Sequence, residues 1–511
     1  PQEVANIVWA FATAGVTPHG AVSWNVDTRS AYKTVDTLPH ISRTRFLSHH
    51  HTITRPRVFV DAAIESASKR IDKFANQGLS NLIWSLSTLD VAARHQDFFA
   101  LAATETASRV PELPAQAIAN ILWAYANAEL VADDLFAAVA RDVVDRGGRH
   151  KAVLFNAQEF ANVIFAFAKN AFDDEALAGA LYETLGTGVL AHAARSRDSR
   201  HNDRFSEQEI ANLLWAYACA DHVDPSLTSV LWTEVNERAK RARHKWRDDD
   251  SGAILSHQPD SSSRDSSQQN TREFPDKVAT RWGFSGEELR QLQQVVLHAR
   301  YEATGGRAAI ISDMARAPPE FLADLREALR DYDPRRSRAQ GQVASAVAAM
   351  GIDVCEEHVT PDGLSIDVAL SPTSRRVGIE FDGPAHFFKN QPRRPTGRTL
   401  FKQRLLKATG WRVLHIPYWD WTDRSPADRA EYVRQGLIDL LTQTSKKRKV
   451  GPMAGGDASS AQQEHTSQQP RRRQRRQPRT PSPAVVGLEE EEEEEEEDTR
   501  DEYSSLSVAE L

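Results

Sequence analysis

The chain has 511 residues, 26% of them charged, and a net charge of −8; the length suggests about three domains. No apolar run reaches the roughly 18 residues a membrane-spanning helix needs, and the two cysteines, Cys219 and Cys355, stand too far apart in sequence for a disulfide framework or a thiolate zinc site. The negative balance belongs to a tail: Glu489 to Glu497 are nine consecutive glutamates, followed by Asp498, and without them the rest is near neutral.

The chain opens at Pro1 inside a predicted helix, as a sequence lacking its beginning would, so no transit peptide can be judged. Its N-terminal half repeats itself. Gln2-Glu-Val-Ala-Asn6-Ile-Val-Trp-Ala-Phe-Ala returns as Gln77-Gly-Leu-Ser-Asn81-Leu-Ile-Trp-Ser-Leu-Ser and Gln116-Ala-Ile-Ala-Asn120-Ile-Leu-Trp-Ala-Tyr-Ala. It returns again as Gln158-Glu-Phe-Ala-Asn162-Val-Ile-Phe-Ala-Phe-Ala and Gln208-Glu-Ile-Ala-Asn212-Leu-Leu-Trp-Ala-Tyr-Ala. The asparagines stand 75, 39, 42 and 50 residues apart; the long first interval holds a polar, His-rich insertion or decayed repeat at about 24–54. A period near 40 with helical patterning predicts an α-solenoid of helix pairs over 1–243, because one unit alone cannot bury its apolar face. Second helices are expected at Val58 to Lys73 and Asp133 to Val144.

Gln and Asn four apart share a helical face. The asparagines either cap or bridge the adjacent turn, or they point with Gln77, Gln116, Gln158 and Gln208 into a groove and read bases. Helical-repeat RNA readers use polar side chains in this way. The stripe Trp9, Trp84, Trp123, Phe165 and Trp215 is read as core rather than as base-stacking surface.

Residues 244–280 are Ser-, Asp- and Gln-rich without periodicity and are read as a disordered linker. Helical patterning returns over 281–332 as a bridging unit or one further degenerate repeat. The C-terminal module spans 335–441 and starts with a helix at Ala339 to Met350. Ser365 to Leu370 reads as a strand carrying Asp367. Val377-Gly-Ile-Glu380-Phe-Asp382 reads as a second, whose alternation puts both carboxylates on one face. Gly383-Pro384 ends it and His386 follows. Thr399 to Thr409 reads as a basic helix with Lys402, Arg404 and Lys407, and Gly410 to Pro417 as a third strand. Acids on neighbouring strands beside a basic helix suit binding, or cutting, of a phosphodiester.

The blocks Gly378-Ile-Glu-Phe-Asp-Gly-Pro-Ala-His-Phe and Thr399-Leu-Phe-Lys-Gln-Arg-Leu-Leu-Lys-Ala-Thr-Gly-Trp-Arg-Val-Leu-His-Ile-Pro-Tyr-Trp-Asp-Trp resemble the RAP domain of organellar RNA-binding proteins, over roughly 343–441. The preceding repeats are similar to the octotricopeptide-like repeats of algal and plant organelle proteins and to the FAST-kinase-like leucine-rich region of animal mitochondrial ones. The resemblance implies a restriction-endonuclease-like α/β core. In such cores two acids hold a divalent metal and a lysine two residues on steadies the phosphorane. Asp367 and Glu380 take the acid positions, which implies Mg²⁺ if the core cuts, but Asp382 stands where the lysine belongs. Lys402 or Arg404 would have to supply that charge, with His386 as a base or phosphate ligand. The alternative is a scaffold retained for binding alone, with Glu380 paired to Lys402 or Arg404. Trp411, Trp419 and Trp421 are read mainly as core.

After Leu441 a tail over 442–511, first basic and then acidic, is expected to be disordered. Lys446-Lys-Arg-Lys449 reads as the end of a basic helix in preference to a nuclear import signal. The composite expectation is an RNA-binding protein of organellar RNA processing, stability, splicing or translation, contacting single-stranded RNA through the Gln/Asn pairs and Arg393, Arg394, Lys402, Arg404 and Lys407. Mitochondria are favoured over plastids. A metal-dependent endoribonuclease and a protein-interaction scaffold are the rival readings. No Gly-rich loop, Val-Ala-Ile-Lys-like strand or His-Arg-Asp loop supports a kinase.

Overall fold

A computed structural model describes residues 2–13, 56–147, 155–198, 204–253, 281–302, 307–330, 336–371 and 376–448. The expected insertion at 24–54, the linker beyond 253 and the tail beyond 448 lie outside the described residues.

The repeats fold as helix pairs. The motif helices are α1 (Gln2–Thr13), α3 (Asn76–Thr88), α5 (Ala115–Ala128), α7 (Ala157–Lys169) and α9 (Glu207–Cys219). Their companions are α2 (Pro56–Ser68), α4 (Gln96–Arg109), α6 (Asp133–Gly147), α8 (Glu175–Asp198) and α10 (Pro225–Ala253). Each motif helix packs on the next motif helix. Alanines such as Ala119, Ala126, Ala161, Ala168 and Ala211 are buried in these seams, where only a small side chain lets two backbones approach. Two departures from expectation concern ends: α10 runs to Ala253, into the expected linker, and the last helix of the chain runs to Arg448, past the expected boundary at 441.

The stack continues into α11 (Gly286–Tyr301), which packs on α9, and then α12 (Arg307–Met314) and α13 (Pro319–Arg330). Ser206 and Glu209 form a capping box on α9, and Ser285 with Glu288 forms the same box on α11. Counting from those caps, Gln291 falls at the Asn212 position and Gln294 at the Trp215 position. These equivalents touch: Gln291 donates to Asn212 at 3.0 Å, and the Trp215 indole donates to Gln294 at 2.6 Å. The bridging unit therefore begins as a degenerate repeat in register with the others.

The motif helices α3, α5, α7 and α9 end alike. Asp90, Glu129, Ala171 and Asp221 adopt left-handed backbone with φ between 50° and 58°. The next amide in each case turns back to a carbonyl five residues earlier: Val91 to Leu86, Leu130 to Tyr125, Phe172 to Phe167 and His222 to Tyr217. This is the Schellman closure, and it leaves the remaining terminal carbonyls of each helix pointing out of one edge of the stack.

The C-terminal module sits on that edge. Its order is α14 (Arg338–Ala348), β1 (Asp353–Val359), β2 (Ser365–Ser371), β3 (Val377–Asp382), a short hairpin of β4 (Phe387–Phe388) and β5 (Gln391–Pro395), α15 (Gly397–Ala408), β6 (Arg412–Pro417), α16 (Tyr418–Thr422) and α17 (Pro426–Arg448). The main sheet runs β1-β2-β3-β6, antiparallel except for the parallel pair β3 and β6. One face buries Val368, Val377, Ile379 and Ile416 against Val343 and Val347 of α14 and Val433 and Leu437 of α17. The other face is covered by α15, whose Phe401, Leu405 and Leu406 join the core of the helical stack. β1 and the hairpin are elements that the sequence reading did not anticipate.

Residues 389–404 run across the helix ends. The Lys389 amide donates to the Glu129 carbonyl at 2.9 Å. Asn390 pairs with both backbone groups of Val131, each at 2.9 Å. Arg394 grips Asp133 at 2.7 and 2.9 Å and the Ala171 carbonyl at 3.2 Å. Arg404 donates to the last carbonyls of α9, at Ala218 and Cys219, both at 2.8 Å. A cation at a helix C-terminus complements its dipole as well as its open acceptors. Gly397, at the start of α15, lies so close to the end of α7 that a Cβ there would stand 1.9 Å from the Ala168 carbonyl oxygen.

Gly397→Ala should therefore lower unfolding stability by about 1–3 kcal/mol through overpacking. Gly383→Ala, whose Cβ would meet nothing within 4 Å, should stay within about 0.5 kcal/mol. Urea denaturation of the two variants checks this.

Candidate functional site

Strand alternation places Glu380 and Asp382 on the α15 side of the sheet, opposite the apolar face of Val377, Ile379 and Phe381. Both carboxylates are buried. Antiparallel register carries Asp367 beside Glu380: the Asp367 amide donates to Glu380 Oε1 at 3.3 Å, and the Phe381 amide donates to Asp367 Oδ2 at 2.8 Å. Parallel register sets His415 opposite Glu380. On the far side, Glu357 stands between the β1–β2 pairs Glu356–Val368 and His358–Ile366, beside Asp367. Glu357, Asp367, Glu380 and His415 thus form a row across four strands.

Lys402 of α15 reaches down to Glu380 Oε2 at 2.6 Å. The two partners respond differently to burial. Desolvation lifts the Glu380 carboxyl above its usual range, against the pull of Lys402. Desolvation works against the Lys402 ammonium too, yet Glu380, Asp367 and Asp382 together hold it above an ordinary lysine. The lysine's direction governs, because one ammonium serves three carboxylates. Burial also raises the Glu357 carboxyl, helped by Asp367 and Glu380.

Asp382 ends β3 and anchors two imidazoles. His386 Nδ1 lies 3.1 Å from Asp382 Oδ1, and His415 Nδ1 lies 3.1 Å from Asp382 Oδ2. Burial alone would raise the Asp382 carboxyl, but the hydrogen bonds and charges of the two histidines overturn that and bring it down to about 2. The Gln403 amide stands 3.3 Å from His415 Nδ1.

The expected metal pair, Asp367 and Glu380, is brought together, but its oxygens are engaged. Glu380 gives one oxygen to Lys402 and the other to the Asp367 amide, and Asp367 gives one to the Phe381 amide. Mg²⁺ takes oxygen ligands in near-ideal octahedral geometry. Among the described residues no group of three or more His, Cys, Asp or Glu side chains is placed to hold a metal ion.

The predicted RNA-contacting cations divide. Arg394 and Arg404 face the helix ends, as described, and Lys402 faces Glu380. Arg393 and Lys407 are exposed. On the motif helices, Gln77, Gln116, Gln158 and Gln208 are exposed, and Asn81, Asn120, Asn162 and Asn212 are half-buried. Asn212 bridges to Gln291, whereas no side-chain partner stands at Asn81, Asn120 or Asn162 among the described residues. The aromatic stripe is less interior than the sequence suggested. Trp84, Trp123 and Phe165 are only half-buried, and Trp84 stacks on Trp123 with ring centroids 6.3 Å apart; Trp215 alone of the four is buried, against Phe401 of α15. Trp421 is core, as expected, while Trp411 and Trp419 are half-buried.

Sequence reasoning missed Glu357 and His415. The Glu357 backbone has φ 49°, which breaks strand alternation, so period two could not place it. His415 depends on the register of a parallel pair, which α15 and its packing set.

The family model described as the RAP domain matches residues 379–435. A curated relative in Oryza sativa subsp. japonica, described as a RAP domain-containing protein, chloroplastic, is 24% identical over 345 residues. That match covers 60% of this chain and 50% of the relative, so the chain spans about half the relative's length.

Lys402→Met would strand Glu380 in the interior and should cost about 3–5 kcal/mol, much of which Lys402→Met with Glu380→Met should recover. For Asp382 the folded value lies below the free value of 3.8. Its contribution is thus fully present above about pH 4 and is lost as pH falls toward 2. Acid unfolding followed by circular dichroism should show Asp382→Asn less stable than wild type at neutral pH, with the difference narrowing across that window.

The match begins within β3, although β1 and β2 belong to the same sheet and α14 packs on it, and residues 379–435 of this chain are a RAP domain carried behind a helical N-terminal region.

Proposed function

We propose that this chain is a single-stranded RNA-binding protein of organellar RNA metabolism, in which an α-solenoid and a RAP module with a restriction-endonuclease-like chain order act as one unit. One observation carries the reading. Three consecutive motif helices present an exposed Gln, a half-buried unpartnered Asn and a half-buried aromatic at the same three positions: Gln77, Asn81 and Trp84; Gln116, Asn120 and Trp123; Gln158, Asn162 and Phe165. Amides that water can reach but no neighbour satisfies are suited to base edges, and partly open rings are suited to base faces. The fourth unit, with Asn212 and Trp215 covered by α11 and α15, closes this face at the RAP end.

Exposed Arg393 and Lys407 supply phosphate contacts beside it. The acids of the RAP sheet serve as scaffold for Lys402 and the two histidines rather than as metal ligands. The relative's chloroplastic description supports an organellar setting, with the plastid as an alternative to the mitochondrion. Processing, stability, splicing and translation of organellar transcripts all fit such a binder. No helix among the described residues is long and apolar enough to cross a membrane.

Affinity of the full chain for a uridine-rich single-stranded RNA should fall steeply between about 50 and 200 mM salt. Trp123→Ala should weaken it by about 1–3 kcal/mol, as loss of a stacking platform does. Fluorescence anisotropy measures both. A chain with no RNA affinity at low salt would instead be a protein-interaction scaffold.

A further inference from the structure

The RAP domain contains a second chemical arrangement that binding does not use. Asp382, buried at the end of β3, is flanked by two imidazoles: His415 Nδ1 is hydrogen-bonded to one carboxylate oxygen, and His386 Nδ1 lies 3.1 Å from the other. His386 is fixed from behind, because its carbonyl accepts the Thr396 amide at 3.0 Å and the Thr399 hydroxyl at 2.9 Å. His415 is fixed by β6, beside β3. With both Nδ1 atoms turned to Asp382, both Nε2 atoms point away from it, and neither has a protein partner among the described residues. The two side chains are 33% and 28% exposed, while Asp382 is 4% exposed, so a buried carboxylate presents two imidazoles to solvent. Lys402, held by neighbouring Glu380, adds a cation whose side chain is 27% exposed. The group lies toward the carboxyl ends of the neighbouring parallel strands β3 and β6. Half-buried Tyr418 and Trp419 follow β6 directly and pack on Phe387, next to His386.

We propose that His386 and His415 form an acid–base pair that cleaves RNA without a metal ion, by transesterification, a step that rests on the RNA-binding reading. One neutral imidazole takes the proton of a ribose 2′-hydroxyl through Nε2. The 2′-oxygen bonds to the adjacent phosphorus and the P–O5′ bond breaks. The other imidazole, protonated, gives its Nε2 proton to the departing 5′-oxygen. The products are a 2′,3′-cyclic phosphate and a 5′-hydroxyl end, and no water, metal or oxidant is consumed. Proton exchange with solvent resets the pair. Lys402 offsets the charge that gathers on the phosphorane oxygens. Asp382 is a positioning residue: it fixes which nitrogen of each ring is free.

The test incubates the full chain with a labelled uridine-rich RNA in EDTA, beside the same oligomer built on 2′-deoxyribose, and reads binding and product ends in the same samples. Cleavage in EDTA should leave 2′,3′-cyclic phosphate ends and spare the deoxy strand. His386→Asn and His415→Asn keep an N–H for Asp382; each should lose cleavage by about 100-fold or more while RNA remains bound. His386→Ala should regain part of it with added imidazole. RNA that stays bound and intact in EDTA overturns the inference and leaves the binding reading standing. Cleavage that appears only with Mg²⁺, or that survives both Asn variants, also overturns it. RNA neither bound nor cut overturns the RNA reading and this inference together.

Discussion

The carbonyl groups left open at the ends of the motif helices set the arrangement of the whole molecule. Every α-helix leaves acceptors at its C-terminus without an internal partner. Here four such ends are closed alike, and the C-terminal module supplies donors to the backbone at three of them. Arg404 serves α9, Arg394 reaches the carbonyl beyond α7, and Asn390 pairs with the backbone beyond α5. Gly397 allows the closest approach because it has no side chain to intrude. The domain is thereby held in register with the repeats, and one apolar core runs through both.

That docking decides what the basic residues are available for. A basic helix in sequence suggests a phosphate-facing surface, yet α15 divides its cations among three tasks. Arg404 belongs to the helix ends, Lys402 to the carboxylate row, and Lys407 to solvent. The acids divide in a comparable way. Asp367 and Glu380 bind amides and Lys402, which fixes the sheet to α15, whereas Asp382 directs two histidines outward. No lysine follows Glu380 on its own strand, where Asp382 stands two residues on; Lys402 arrives instead from the helix above, onto Glu380. The same few buried charges thus hold the sheet together and shape its open end.

Much of this was legible in the residues. The recurring Gln-x-x-x-Asn motif with its aromatic three residues later marked five helices, and the alternation Val377-Gly-Ile-Glu-Phe-Asp marked a strand with two acids on one face. The pairing of Glu380 with Lys402 was one of the alternatives the sequence offered. What could not be read depends on register and on long-range packing. Glu357 stands in a break of strand periodicity, and His415 is brought to Asp382 by a crossover whose register no local pattern encodes. Arg394 and Arg404 carry no local sign that their partners lie more than 180 residues away, at Asp133 and Cys219. The aromatic stripe was legible in part: Trp84, Trp123 and Phe165 pack against the core of the stack as read, yet they are left partly open along it.

The claim that unites these features is that one RNA strand runs along the Gln–Asn–aromatic face and ends at the RAP domain. Photo-crosslinking of a single-stranded RNA to the full chain, with the crosslinked peptides identified by mass spectrometry, tests it most directly. The account predicts crosslinks both on the motif helices, in the peptides holding Trp84, Trp123 and Phe165, and at the RAP open end, in the peptide holding Tyr418 and Trp419. Crosslinks confined to the outer companion helices, or none at all, would contradict it.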